Sequence, residues 1–252
     1  MSVMSSEQQV QAALQGYDDV DTWTTLIFLY KAAMKEVNTK LEILNDEFQQ
    51  VHNYNPIEHI KTRIKTAESI VKKLRRYGYE TSIDNMVRYV NDIAGVRVIC
   101  SFTSDIYRLA EMIGNQNDLK VLSIKDYIKH PKDSGYKSYH MLVSVPVFLS
   151  DSVVDTKVEI QIRTIAMDFW ASLEHKIYYK FEGNAPDYIS RDLRECAKMV
   201  EALDERMLQL NEAIQKCMVY EADGEDLNDV CVEGLTDRTE QIVYHFKNPK
   251  TE

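Results

Sequence analysis

Apolar residues recur every three or four positions near the start of the chain and build a seven-residue repeat. This spacing places one apolar row along a single helix and is typical of a long helix packed on a partner. The row consists of Trp23, Ile27, Tyr30, Met34, Val37, Leu41, Leu44, Phe48 and Val51. Because Pro56 disfavours helical backbone at Asn55, the helix is expected to end between Asn53 and Pro56.

The patterns farther along the chain predict an alternation of shorter helices and strands before a second long helix. Helices are expected at 67–77, 104–114, 165–181 and 189–219, and strands at 94–102, 119–124, 139–147 and 157–163. Residues 125–135 have the composition of a polar loop, and residues 151–156 that of a turn. This order favours an α+β fold with a single mixed sheet packed with helices. The long helices at both chain ends either pack on each other or meet other subunits.

Charge and polarity divide the chain into three segments. Residues 1–22 are polar and are expected to be disordered, whereas residues 23–219 are expected to form one domain. Residues 220–252 form an acidic tail that is expected to be mobile, since eight Asp or Glu side chains lie between positions 221 and 240.

Composition excludes several classes of protein. The formal net charge of −10 argues against binding to DNA, and no apolar run reaches the length of about 18 residues that a membrane span needs. The four cysteines show neither C-x-x-C nor Cys/His metal spacing. Cys100 lies in an apolar stretch and is expected to be a core thiol. Reduced cysteines and a cytoplasmic location are therefore expected.

Two of the predicted strands carry one carboxylate and one arginine each. Asp92 and Arg97 belong to the stretch D-I-A-G-V-R-V-I-C, and Glu159 and Arg163 belong to V-E-I-Q-I-R-T. In the second stretch aliphatic residues alternate with Glu159, Gln161 and Arg163, so these three polar side chains share one face. Two carboxylates on adjacent strands are suited to hold a divalent metal, and the arginines to bind phosphate. The alternative is structural: Asp92 caps a turn, and Glu159 pairs with a neighbouring arginine.

A basic segment follows the first long helix. Seven Lys or Arg side chains lie between positions 59 and 76, against a single acidic one. If the residues before the next helix are extended, Lys61, Arg63 and Lys65 all point the same way. If that helix starts earlier, one of its faces carries Lys61, Lys65, Lys72 and Arg76 instead. We favour the extended arrangement, and either version makes a surface that attracts an anionic ligand.

A further cluster lies in the loop P-K-D-S-G-Y-K-S-Y-H, which places Lys132, Tyr136 and His140 around a glycine. This loop is either a simple turn entering a strand or a binding loop in which the tyrosine stacks on a base. The glycine-rich phosphate-binding motifs of other nucleotide-binding proteins are not found in the sequence. In the helix that follows, Trp170 and Leu173 are expected to lie in the core.

Together, these segments resemble the synthetase domain of the RelA/SpoT family, which makes guanosine tetra- and pentaphosphate. The matching segments are R-I-K-T-A-E-S-I-V-K-K (63–73), D-I-A-G-V-R-V-I (92–99), G-Y-K-S-Y-H (135–140), E-I-Q-I-R-T (159–164) and M-D-F-W-A-S-L-E-H-K (167–176). The length and layout resemble the stand-alone small alarmone synthetases, whose fold is nucleotidyltransferase-like. No histidine is followed by aspartate, the metal motif of the family's hydrolase half, so a synthesis-only enzyme is expected.

The resemblance implies a reaction and a role for each matching residue. ATP would donate a pyrophosphoryl group to the ribose 3′-hydroxyl of GDP or GTP, releasing AMP. Asp92 and Glu159 would bind Mg²⁺, and Glu159 would also accept the hydroxyl proton. The nucleotide-binding residues would be Arg63 and Arg97 at the adenine, Lys65 and Lys73 at the ATP phosphates, Tyr136 at the guanine, Lys125, Lys132 and His140 at the acceptor phosphates, and Gln161 and Arg163 along the site.

The same resemblance carries expectations about partners. Family members of this size form homotetramers to which their end helices contribute, so a homotetramer is expected. Some small synthetases bind a regulatory nucleotide or single-stranded RNA, and the subgroup best known for it has an aromatic residue after Pro-Ile-Glu. In this chain His59 follows that tripeptide, which argues against activation by product. Two alternatives remain, namely a toxic relative that pyrophosphorylates the 3′ end of transfer RNA and a non-catalytic nucleotide- or RNA-binding assembly.

Overall fold

The computed structural model describes residues 19–52, 54–180 and 186–223, and within them it contains six helices and five strands. The helices are α1 (Asp19–Val51), α2 (Ala67–Arg76), α3 (Ile83–Tyr89), α4 (Thr103–Gly114), α5 (Ile165–Lys180) and α6 (Asp187–Asp223). The strands are β1 (Ile57–Ile64), β2 (Ala94–Cys100), β3 (Lys120–Asp126), β4 (Tyr139–Phe148) and β5 (Val153–Thr164). None of these helices offers an apolar stretch long enough to cross a membrane.

All five strands belong to one mixed sheet with the order β1-β2-β5-β4-β3. The central pair, β2 and β5, runs parallel, and the other three pairs are antiparallel. The chain leaves β2 through α4 and the β3–β4 hairpin before it returns beside β2 as β5. The predicted α+β fold with a single mixed sheet is therefore confirmed, and the strand order brings the two site-bearing strands together.

One face of the sheet is covered by α1. Its buried residues Tyr30, Val37 and Leu41 belong to the same apolar cluster as Val98 of β2 and Ile160 of β5. Full burial of such side chains contributes roughly 1.5–3 kcal/mol each. Most of the apolar row of α1 is thus packed against the sheet of the same chain. The polar residues of β5 alternate with its buried residues and face the other side of the sheet.

Several boundaries differ from the sequence predictions because pairing between strands overrides local composition. β5 begins at Val153, inside the predicted turn, since its first residue pairs with Phe148 at the end of β4. β3 continues to Asp126, so Lys125 lies in a strand opposite His140 rather than in a loop.

The helices differ in similar ways. α3 was not predicted, although Ser82 caps it by accepting a hydrogen bond from the backbone N–H of Asn85. Leu173 was predicted to be in the core and is instead 41% exposed, whereas Trp170 is buried as expected. α1 begins at Asp19, four residues before Trp23, which is the first residue of the predicted apolar row.

The chain divides into two compact units after Glu201, within α6. The first unit contains the sheet, α1 to α5 and the start of α6. In the second unit, the described residues are the remainder of α6, which runs four residues past the predicted end at 219. Apart from residues 19–22 and 220–223, which are helical, the predicted disordered segment at 1–22 and the acidic tail at 220–252 lie outside the described residues.

Candidate active site

A cavity of about 330 Å³ opens on the polar face of the sheet, where β1, β2 and β5 lie side by side. The strand register creates it, because Lys61 pairs with Arg97 across β1 and β2, and Arg97 pairs with Gln161 across β2 and β5. The extended arrangement of the basic segment is therefore confirmed for the residues of β1. The charged and amide side chains of the lining are Lys61, Arg63, Asp92, Arg97, Glu159 and Gln161.

Asp92 accepts hydrogen bonds from two lysines. Its Oδ2 lies 2.8 Å from Nζ of Lys65, and its Oδ1 lies 2.7 Å from Nζ of Lys73. The backbone N–H of Lys65 donates to the carbonyl of Ile93, and Thr66 caps α2, the helix that carries Lys73. Burial raises the pKa of Asp92, but the two ammonium groups outweigh it and hold that pKa below its usual value. Asp92 is therefore an ionised carboxylate between two cations.

Glu159 is the second carboxylate of the cavity. Its Oε2 accepts a hydrogen bond from Nε2 of Gln161 at 2.7 Å, and its Oε1 lies 3.4 Å from Nδ1 of His140. Burial raises the pKa of Glu159, as does the nearby charge of Asp92, but His140 and Gln161 hold it below its usual value. Glu159 thus pairs with an imidazole and an amide rather than with the neighbouring arginine that the structural alternative predicted.

A third carboxylate, Asp168, lies in the first turn of α5 and was not among the predicted site residues. Its Oδ1 lies 3.0 Å from Nη1 of Arg97 and 3.0 Å from Nη1 of Arg163. Arg163 is buried and also donates to Oγ of Ser138 at 3.3 Å and to Oη of Tyr136 at 2.6 Å. The sequence signal for Asp168 is weak, because a single acidic residue after a strand is common at a helix start.

The loop before β4 and the start of β4 hold a tyrosine ring, a cation and an imidazole together. Oη of Tyr136 lies 2.9 Å from Nε2 of His140, and the two rings of Tyr136 and Tyr127 meet edge to face. Nζ of Lys132 lies 4.6 Å from the ring centre of Tyr136 and 4.7 Å from that of Tyr127. Because His140 contacts both Tyr136 and Glu159, it connects this loop to the cavity.

The predicted site residues differ in how they are related to the cavity. Arg63, Asp92, Arg97, Glu159 and Gln161 line the cavity itself. Lys65 and Lys73 reach it through Asp92, and Arg163, Tyr136 and His140 form a connected chain beside it. Lys132 lies over Tyr136, whereas Lys125 is exposed on β3 and related to the others by its pairing with His140.

The cavity suits a divalent cation that takes some of its ligands from the protein and the others from a bound substrate. Mg²⁺ prefers oxygen ligands and is usually bound by one or two carboxylates together with substrate phosphates and water. Asp92 and Glu159 both line the cavity and both have a lowered pKa, so each offers an ionised oxygen. Within the described residues no group of three or more His, Cys, Asp or Glu side chains could hold a metal by itself.

Known proteins resemble the chain in both sequence and structure. A family model described as a region found in RelA / SpoT proteins matches residues 62–184. The GTP pyrophosphokinase YwaC of Bacillus subtilis is 46% identical over 201 residues, which cover 78% of this chain and 96% of that protein. The GTP pyrophosphokinase YjbM of the same species is 34% identical over 198 residues, which cover 79% and 92%.

Solved structures of small alarmone synthetases have the same fold. The small alarmone synthetase 2 of Bacillus subtilis matches with a TM-score of 0.69 at 45% identity, covering 75% of this chain and 98% of that one. The small alarmone synthetase 1 of that species, bound to its product pppGpp, matches with a TM-score of 0.73 at 33% identity, covering 77% and 99%. The chain therefore belongs to the RelA/SpoT family and is one of its small alarmone synthetases, the GTP pyrophosphokinases.

Proposed function

We propose that this enzyme transfers the pyrophosphoryl group of ATP to the ribose 3′-hydroxyl of GDP or GTP and releases AMP. The observation that carries the proposal is a single cavity in which two ionised carboxylates, Asp92 and Glu159, lie among fixed cations. Two polyanionic nucleotides can meet only where positive groups and a metal offset their repulsion, and this cavity supplies the protein part of that requirement.

The donor side is formed by β1, β2 and α2. Arg63 and Arg97 lie on adjacent strands along the cavity, and a planar guanidinium suits stacking on the adenine ring. Lys65 and Lys73 are compact cations that suit the ATP phosphates. In binding phosphate they would leave Asp92, so the carboxylate becomes available as the donor arrives.

The acceptor side is formed by the loop between β3 and β4 and by the ends of these two strands that adjoin it. Tyr136 offers a ring on which guanine stacks, and base–aromatic stacking contributes about 1–3 kcal/mol per base. Lys132, His140 and the exposed Lys125 would bind the acceptor phosphates. Arg163 and Gln161 position other residues of the site. Arg163 donates a hydrogen bond to the hydroxyl of Tyr136, and Gln161 donates one to the carboxylate of Glu159.

Glu159 is the general base in this proposal. Its lowered pKa keeps it ionised at neutral pH, and its contact with Gln161 fixes the carboxylate. It accepts the proton of the 3′-hydroxyl while that oxygen forms a bond to the β-phosphorus of ATP. The bond from the β-phosphorus to the oxygen bridging it to the α-phosphorus breaks, and AMP leaves with that oxygen. General-base help of this kind contributes roughly 10²–10⁴-fold in rate.

Mg²⁺ is the proposed metal, and Asp92 and Glu159 are the residues that would hold it together with phosphate oxygens. When bound, it supplies charge neutralisation on the transferring group. The assignment is supported by the donor set, since two carboxylates without histidine or thiolate suit a hard cation.

We further propose that the protein is a homotetramer and is located in the cytoplasm, a location that suits the free thiols of Cys100 and Cys196. Support for assembly comes from the apolar row of α6, in which Leu203, Met207 and Ile214 are each about half exposed or more. Size-exclusion chromatography with light scattering tests the assembly, and a mass of one chain, 29.3 kDa, contradicts it.

Chromatography of nucleotides after incubating the purified protein with ATP, magnesium and GDP or GTP tests the function. AMP and guanosine tetra- or pentaphosphate should appear in equal amounts. Release of AMP with free pyrophosphate, or unchanged ATP, contradicts the proposal. A parallel reaction with transfer RNA as the acceptor and β-labelled ATP distinguishes the toxic relative, which would place the label on the RNA.

A further inference from the structure

Asp168 has no part in the reaction proposed above, yet it contacts an arginine on each side of the site. We propose that Asp168 is a positioning residue that holds donor-side Arg97 and acceptor-side Tyr136 in one fixed arrangement, the latter through Arg163. The inference rests on the proposed function, in which Arg97 flanks the adenine and Tyr136 stacks on the guanine.

The two arginines are close because of the strand register. Arg97 pairs with Gln161 and Ile99 pairs with Arg163, so Arg97 and Arg163 are diagonal neighbours on one face of the β2–β5 pair. Two guanidinium groups in this position repel each other unless an anion lies between them. A single oxygen of Asp168 supplies it, because Oδ1 lies 3.0 Å from Nη1 of each arginine.

Asp168 is well placed to act as a fixed point. It follows β5 directly, in the first turn of α5, where the backbone N–H of Met167 donates to Oγ1 of the buried Thr164 at 3.1 Å. The Asp168 side chain is 15% exposed and that of Arg163 is 5% exposed. Ion pairs that are this well buried and hydrogen-bonded are stronger and less mobile than surface pairs.

The acceptor arm runs from Asp168 through Arg163 to Tyr136. Nη2 of Arg163 donates to Oη of Tyr136 at 2.6 Å, and the guanidinium carbon lies 5.1 Å from the centre of that ring. Oη of Tyr136 is also 2.9 Å from Nε2 of His140, the residue that contacts Glu159. The position of the ring on which guanine stacks therefore depends on the guanidinium that Asp168 holds.

On the donor side, Asp168 contacts Arg97 directly. Nη1 of Arg97 donates to Asp168, whereas the buried Nε of Arg97 has no hydrogen-bond partner. Burial and the charge of Arg163 lower the pKa of Arg97, while Asp168 and, to a smaller extent, Tyr136 raise it, so Asp168 is the main neighbour that favours the charged guanidinium. Without that carboxylate, Arg97 would lose its anchor beside the cavity that it lines.

Steady-state kinetics with both substrates tests the inference. Asp168→Asn keeps the shape of the side chain and removes its charge, so both the KM for ATP and the KM for GDP should rise about tenfold. Tyr136→Phe removes only the hydroxyl and should raise the KM for GDP alone. Asp187→Asn removes an exposed carboxylate from the first turn of α6 and should change neither KM.

A second variant keeps the test decisive if the Asn variant does not fold. Asp168→Glu retains the charge on a side chain longer by one methylene, which displaces both guanidiniums, so both KM values should rise about threefold. Wild-type values of both constants in a folded variant, or a rise in only one of them, overturn the inference. If the wild-type enzyme forms no AMP, the proposed function is wrong instead. Dissociation constants for GDP and a non-hydrolysable ATP analogue then replace the KM values in the same comparison.

Discussion

Nζ of Lys65 lies 2.8 Å from Oδ2 of Asp92, so a cation assigned to the ATP phosphates is paired with a carboxylate assigned to the metal. Lys73 occupies the other oxygen of Asp92 at 2.7 Å. Phosphate and metal therefore compete with an internal ion pair when they enter the site. The exchange is balanced in charge. The two lysines exchange the carboxylate of Asp92 for phosphate, and Asp92 exchanges the two lysines for the metal ion.

Removal of the Asp92 charge should separate binding of ATP from its turnover. In Asp92→Asn the two lysines no longer have a carboxylate partner, so a non-hydrolysable ATP analogue should bind about tenfold more tightly in EDTA than to the wild type. AMP formation with magnesium should fall at least 100-fold, because one of the two carboxylates for the metal is lost. Calorimetry in EDTA and an AMP assay measure the two effects.

Asp151→Asn, at an exposed position in the turn between β4 and β5, is a control for removal of one negative charge. It should leave both the affinity in EDTA and the rate of AMP formation unchanged. Weaker binding of the analogue to Asp92→Asn in EDTA contradicts the competition between lysine partners.

The stability of the protein should depend on pH through the same carboxylate. The pKa of Asp92 is lowered in the folded state, so its ion pairs stabilise the fold fully above the unfolded pKa of about 3.9 and this contribution disappears as the pH falls through the folded pKa. Asp92→Asn should lower the free energy of unfolding by about 2 kcal/mol at pH 7. The difference from wild type should shrink below about pH 4. Urea unfolding at several pH values measures it, and a difference independent of pH contradicts the assignment.

Replacement of the proposed base should abolish turnover without abolishing binding. Glu159→Gln keeps the shape of the side chain but cannot accept the hydroxyl proton, so AMP formation should fall at least 100-fold. Affinity for ATP in EDTA should stay within about threefold of the wild type, since Glu159 contacts His140 and Gln161 rather than the lysines. Glu111→Gln, at an exposed position on α4, is the matched control. Near-normal turnover of Glu159→Gln would refute the role of this residue.

The low pKa of Glu159 adds a second observable to that experiment. A base that is already ionised well below neutral pH does not limit the rate as the pH falls from 7 to 5. Protonation of Glu159 should therefore cause no loss of activity of the wild-type enzyme between pH 7 and pH 5. A rate that falls tenfold per pH unit between 7 and 5 shows that another group controls proton transfer.

Periodicity predicted the parts of the site that lie on single strands. The alternation around Glu159, Gln161 and Arg163 placed these side chains on one face, and β5 has that pattern of burial. Strand order brought Asp92 and Glu159 to one cavity, which sequence spacing alone did not establish. The roles of these residues were predicted from the resemblance to a family, whereas their position in one cavity follows from the order of the strands in the sheet.

The contacts between elements could not be read from the chain. Asp92 meets Lys65 and Lys73 from different elements, and only tertiary packing decides which cation a carboxylate reaches. Asp168 was missed for the same reason, since its partners lie 71 residues before it and five residues before it. The sequence gives no strand signal at Lys125, because a short exposed strand with a polar end has little apolar periodicity.

Gly135 should be intolerant of a side chain, with an effect confined to the acceptor. Its φ is +90°, and a Cβ there would lie 2.6 Å from Cβ of Ala197, against the first part of α6. Gly135→Ala should therefore displace the loop that carries Tyr136 and Lys132, raising the KM for GDP about tenfold and the KM for ATP less than twofold. Initial-rate measurements with each substrate varied test this, and a wild-type KM for GDP contradicts it.

Two further variants separate the clash from the backbone strain. Gly78→Ala has a similar φ of +78° but nothing within 4 Å of the added Cβ, so it should cost only about 1 kcal/mol of stability and leave both KM values unchanged. Gly135→Ala combined with Ala197→Gly removes the Cβ–Cβ contact and keeps the strain. If the packing of the loop against α6 sets the position of Tyr136, this double variant should recover most of the affinity for GDP. It should remain about 2 kcal/mol less stable than the wild type, because the strain at position 135 and a glycine inside α6 each cost about 1 kcal/mol. A double variant no better than Gly135→Ala would show that the backbone conformation of Gly135, rather than its contact with Ala197, holds the acceptor loop.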